Sequence, residues 1–170
     1  MRFSDLLKPD NLVLSFFSAV FDMVLLSLLT VVCAAPVVSA GAALTAMHYV
    51  LFHKVQGDGI GVVQPYFRAV KENFMQATGL WLILGGMATA LIVAIRRQGA
   101  EGNVLVWGGI VFLSVLFLEM AVYVFPLQAR YANSISRTLR LALQIAMASL
   151  PRATAMEILI AGSGFFLYNV

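Results

Sequence analysis

Residues 21–52, FDMVLLSLLTVVCAAPVVSAGAALTAMHYVLF, decide the fold. A long apolar run carries a single acid, Asp22, and stops at Pro36. A second run follows, rich in small residues: Ser39, Ala40, Gly41, Ala42, Ala43, Thr45 and Ala46. Proline cannot continue helical hydrogen bonding and disfavours helix at the residue before it. It does suit the first position of a new helix. The stretch therefore predicts a helix that turns back on itself inside a bilayer.

Composition supports this class. The chain of 170 residues is 61% apolar and 11% charged, against about 45–50% and about 25% in soluble domains. The apolar residues collect in runs of roughly 18 or more, enough to cross a hydrocarbon layer about 30 Å thick. The expectation is an all-helical, polytopic transmembrane bundle with about five membrane-embedded helices and one or two interfacial ones.

A single domain is expected over 1–170. Residues 1–11 form a polar cytoplasmic lead and 12–35 a first span, with no cleaved signal peptide because its apolar run exceeds a signal core. Residues 37–52 form a second, short helix. The glycine-rich 53–61 lacks the strand, helix and Lys-Ser/Thr pair of a phosphate loop and reads as a turn. Val63, Phe67, Val70 and Phe74 recur at helical spacing beside Arg68, Lys71 and Glu72. That predicts an interfacial helix over 62–76, running into a third span at 77–95. After a loop at 96–103, a fourth span covers 104–125 and ends at Pro126. A second interfacial helix is expected over 134–150, broken near Pro151, and a last span over 153–170.

The 11 basic residues sit singly or in pairs within a net charge of +3, which is no nucleic-acid footprint. Charge counting puts Arg68, Lys71, Lys54 and Arg130 inside and only Arg96 and Arg97 outside. A cytoplasmic N-terminus follows from the positive-inside rule.

Three stretches resemble a bacterial family, the YesL-like integral membrane proteins, a domain of unknown function. They are FDMVLLSLLTVVCAAPVVSAGAALTA, FRAVKENFMQATGLWLIL, and YVFPLQARY with the later LPR. Together they cover most of 20–155, and the middle one is the most specific. The resemblance implies a multi-span helical protein in the plasma membrane and an association with carbohydrate uptake. An apolar residue is expected where Glu119 stands, and Lys-Asn where Arg140-Leu141 stands.

Asp22 and Glu119 are the intramembrane acids, roughly 15 and 10 Å from the cytoplasmic side by helical rise. Such residues face a bundle interior or an aqueous cavity. They read either as a proton or cation site, or as helix–helix hydrogen bonds, with Arg152 as a further ion-pair partner. Arg68, Lys71, Glu72, Asn73, Gln76 and Arg130 are candidates for binding a headgroup or protein partner, or for ordinary anchoring. Gly41, Ala43, Thr45 and Ala46 form a small-residue helix-packing face. His48 and His53 are five apart and do not share a face for a metal. No catalytic, cofactor or metal motif is present in the sequence. The readings are thus an accessory or regulatory protein beside a transporter partner, or a small ion-coupled carrier, alone or self-associated in the bilayer.

Overall fold

The structure, a computed structural model, is described here for residues 12–58, 60–98, 103–131 and 134–151, with side chains from Phe16 onward. These residues are almost entirely helical and contain no strand. Helix α1 runs Leu12–Ala34. A 3-10 turn at Val37–Ser39 leads into α2, Ala40–Gln56. Helix α3 is Val63–Gln98, α4 is Val104–Arg130 and α5 covers 135–151. The chain divides into two compact units, Met1–Thr78 and Gly79–Val170.

The first unit is built on the Pro36 turn. Pro36 is extended (φ −74°, ψ 105°), and the Ser39 hydroxyl reaches the carbonyls of Cys33 and Pro36. The orphan groups at the reversal are thus partly satisfied by the chain itself, as an apolar solvent requires. Gly41, Ala42, Ala43, Thr45 and Ala46 are all buried. The small face therefore packs against protein. Leu26, Ala46, Val50, Val62, Tyr66 and Ala69 form one buried cluster from α1, α2 and the approach to α3.

Four differences from the sequence reading have physical causes. First, α2 does not stop at 52 but continues through His53, Lys54 and Gln56. Gly57, at φ 80°, supplies the left-handed residue that ends it. Second, 62–76 and 77–95 are not two elements but one uninterrupted helix, because nothing between Gln76 and Gly79 breaks the hydrogen bonding. Third, beside the apolar stripe that the sequence reading gave to the bilayer interface lies a face packed on protein, which that reading did not assign. Val62, Tyr66 and Ala69 are buried, whereas Val63, Phe67 and Phe74 are exposed. Smaller residues and one tyrosine fit against the small face of α2, and the bulkier stripe does not.

Fourth, Pro126 lies inside α4 and does not end it. It withholds one N–H bond, but Val124, Phe125 and Gln128 around it are buried, and that packing carries the helix on to Arg130. Within the second unit, Trp81 meets Phe125 at 6.2 Å between ring centroids. α3 and α5 approach closely at Gly79, where a Cβ would stand 2.9 Å from Ile135 Cδ1.

Three helices among the described residues are long and apolar enough to cross a membrane: Phe16–Ala34, Val63–Gln98 and Val104–Arg130. The 17-residue α2 is shorter, and the expected span over 153–170 lies outside the described residues. Side chains such as Phe16, Phe21 and Val31, each about two-thirds exposed, need a lipid surrounding.

Ala43 is fully buried, and its carbonyl is 3.5 Å from the Tyr66 hydroxyl that donates to it. Replacing it with leucine overpacks this seam, at about 1–3 kcal/mol. The Ala43→Leu protein is expected to melt several degrees lower in detergent; an unchanged melting temperature would show that the seam yields without cost.

Candidate functional site

Asp22 lies mid-way along α1 and Lys54 in the last turn of α2. Their side chains meet at 2.6 Å between Nζ and Oδ2, with 32% and 29% of each side chain exposed. The Pro36 reversal makes this bond possible. It brings residues 32 apart in sequence to one level of an antiparallel pair. The expected partner for Asp22 was another helix or Arg152; Arg152 lies outside the described residues. Lys54 was missed because the glycine-rich reading placed it in a loop. The distance of each residue from Pro36 was the available signal: 14 residues before and 18 after bring Asp22 and Lys54 near one another in a hairpin.

Polar side chains next to the pair are tied to their own helices. His53 Nδ1 is 2.9 Å from the Tyr49 carbonyl, and the two rings meet at a tilt with centroids 4.3 Å apart. Thr30 and Thr45 donate to the carbonyls of Leu26 and Gly41, so these buried hydroxyls cost nothing in an apolar medium. On α3, Arg68 Nε donates to Glu72 Oε1 at 2.8 Å, an exposed i,i+4 pair of the kind that contributes a few tenths of a kcal/mol, about 0.3–0.5. Asn73 donates to the Ala69 carbonyl at 3.0 Å. Lys71 and Gln76 are exposed on the same helix.

In the second unit, Glu119 of α4 accepts from the Ser149 hydroxyl of α5 at 3.1 Å and is half-buried. Ser149 is also within bonding distance of the Ile145 carbonyl. Nearer the α4–α5 connection, the buried Gln128 Oε1 accepts from Thr138 at 2.9 Å. Ala142 and Ala146 are buried between these two bonds. The α4–α5 pair is thus fastened by polar contacts at two levels with a dry seam between. Arg130 stands 5.8 Å over the Tyr131 ring. Asp22 and Glu119 belong to different units, and each has a partner within its own. No group of three metal-ligating side chains occurs among the described residues.

A crevice of about 360 Å³ opens in the second unit. Met87, Ala90 and Ala94 of α3, Leu113 and Phe117 of α4 and Leu143 of α5 line it. All of its lining is apolar.

These features define an all-helical membrane protein whose intramembrane charges and amides are bonded within the fold. Residues 13–95 match the family described as "Protein of unknown function, DUF624". That is the YesL-like family, and the match is to those residues of the chain. The match takes in α1, α2, most of α3 and the Arg68–Gln76 motif; the YVFPLQARY and LPR stretches lie beyond it. Comparison with curated proteins and with solved structures gives no match.

Removing one member of the Asp22–Lys54 bond strands a charge in a sparsely hydrated place, which costs more than losing both. Asp22→Asn and Lys54→Met are each expected to lower the detergent melting temperature. The Asp22→Leu/Lys54→Met double variant should recover most of the loss. Additive effects in this cycle would mean the two groups do not interact.

Proposed function

We propose that this protein is a small, non-catalytic accessory or regulatory protein of a bacterial plasma membrane, with a cytoplasmic N-terminus, that docks a larger membrane partner. The observation that carries this reading is the uncovered crevice of the second unit. Its walls come from three helices, and all of its lining is apolar. Next to it along α3, Gly85 and Gly86 are exposed, and an added Cβ there would meet nothing. Small residues flanking an open apolar groove are what a partner's transmembrane helix needs for close approach, because packing rather than hydrophobicity drives association in lipid. A carbohydrate uptake system as the partner follows from the family resemblance alone.

The alternative, an ion-coupled carrier, needs a carboxylate that exchanges a proton or cation. No specific observation favours it. Asp22 is bonded to Lys54, and Glu119 accepts from Ser149.

A photoreactive phenylalanine analogue at Ala94 is expected to cross-link, in native membranes, to one membrane protein of constant mass. The same probe at Val31, on the exposed face of α1, should give only diffuse adducts. Ala90→Phe, which fills the crevice, should abolish the discrete cross-link while leaving the melting temperature within a few degrees. Diffuse adducts at both positions, with proton-driven uptake by the protein alone in liposomes, would support the carrier instead.

A further inference from the structure

We infer that the corner between α4 and α5 binds the phosphate headgroup of an anionic phospholipid, with Arg137 and Arg140 as its ligands. Two hydrogen bonds fix how α5 lies. Thr138 is bonded to Gln128 and, at the other end of α5, Ser149 to Glu119. Helix α5 therefore runs antiparallel to α4, away from Arg130 at the end of that helix. Glu119 stands eleven residues before Arg130, about 16 Å further in by helical rise. Arg137 is next to the outer bond, and Arg140 follows within one turn. Both arginines thus stand level with the last turns of α4. Arg137, Arg140 and Gln144 recur at i, i+3 and i+7, one stripe of a helix, and all three are exposed. Thr138, Ala142 and Ala146, on the opposite side, are buried. Leu143 and Met147, 38% and 58% exposed, lie three and seven residues beyond Arg140. Along the exposed side of α5, charge comes first and apolar side chains follow it inward.

Among the described residues, the protein does not answer these charges itself. Residues 135–151 contain no acid. The described acid of the second unit is Glu119, which is bonded to Ser149 at the deeper level. The ion pairs Asp22–Lys54 and Arg68–Glu72 belong to the first unit. Arg137 does not serve its own helix either, because a cation in the first turn opposes the positive end of the helix dipole. Arg130, 5.8 Å over the Tyr131 ring, adds a third guanidinium to the same end of the unit.

An anion from outside the chain meets this demand. A phospholipid also matches the order of the face: its phosphate stands above its acyl chains, as the arginines stand above Leu143 and Met147. An acidic protein segment would answer the charge alone. A guanidinium is planar and can hold two phosphate oxygens at once. The site does not need the docking role proposed for the crevice.

The test uses the full chain in a neutral detergent, titrated with phosphatidylglycerol or phosphatidylcholine and read by native mass spectrometry. One basic residue at an anionic surface is worth about fivefold, so the wild type is expected to prefer phosphatidylglycerol by about 25-fold. Arg137→Gln and Arg140→Gln should each lower the preference to about fivefold, and the double variant should bring it close to one. Arg137→Lys/Arg140→Lys should keep most of it, which separates lost charge from lost fold. Arg96→Gln/Arg97→Gln removes the same charge at the end of α3 and should leave the preference unchanged. No preference in the wild type would overturn the proposal, and is the result expected if an acidic protein segment is the ligand. An equal loss in the Arg96/Arg97 variant would overturn it too, since net charge would then suffice. So would a preference that survives Arg137→Gln/Arg140→Gln.

Discussion

The Asp22–Lys54 bond is the constraint on which the first unit depends. In water, an ion pair with about 30% of each side chain exposed contributes little, because solvent competes for both charges. In lipid there is no such competitor, and an unpaired carboxylate or ammonium on a helix flank opposes insertion. The pair lets α1 carry an acid and α2 a base without either meeting acyl chains alone. It also sets the register of the hairpin, since only one alignment about Pro36 lets the two groups meet. The small face of α2 then closes the remaining distance, and Tyr66 is seated against Ala43.

The same logic governs the second unit at lower stakes. Glu119 and Ser149 are fastened at one level of α4 and α5, Gln128 and Thr138 at another. Pro126 sits between these levels, and the helix survives it because its neighbours are packed. A lost backbone bond is cheaper here than exposing Val124, Phe125 and Gln128. The crevice has no such polar fastening, and the proposed docking rests on this contrast.

Hydrophobic periodicity picked out the exposed stripe of α3 and left its protein-packed face unassigned. Val63, Phe67, Val70 and Phe74 form the more apolar stripe, and in a soluble protein they would be the ones to pack. In a bilayer the bulky apolar stripe is the natural lipid-facing one, and close approach selects smaller residues. Val62, Tyr66 and Ala69 are therefore inside, and a tyrosine is tolerated because its hydroxyl finds a carbonyl. Choosing the stripe by size rather than hydrophobicity would have found the buried face.

Sequence alone was enough for the class, the reversal at Pro36, the buried small residues of α2 and the family match of residues 13–95. Each of these follows from local quantities: run length, a missing N–H, side-chain volume and a contiguous motif. The tertiary structure decided what depends on residues far apart. It gave Asp22 its partner in Lys54, merged 62–76 and 77–95 into one helix and carried α4 through Pro126. It also brought Thr78 to the Pro36 turn. A hydrogen bond between residues forty positions apart depends on how the whole chain between them packs, which no local quantity encodes.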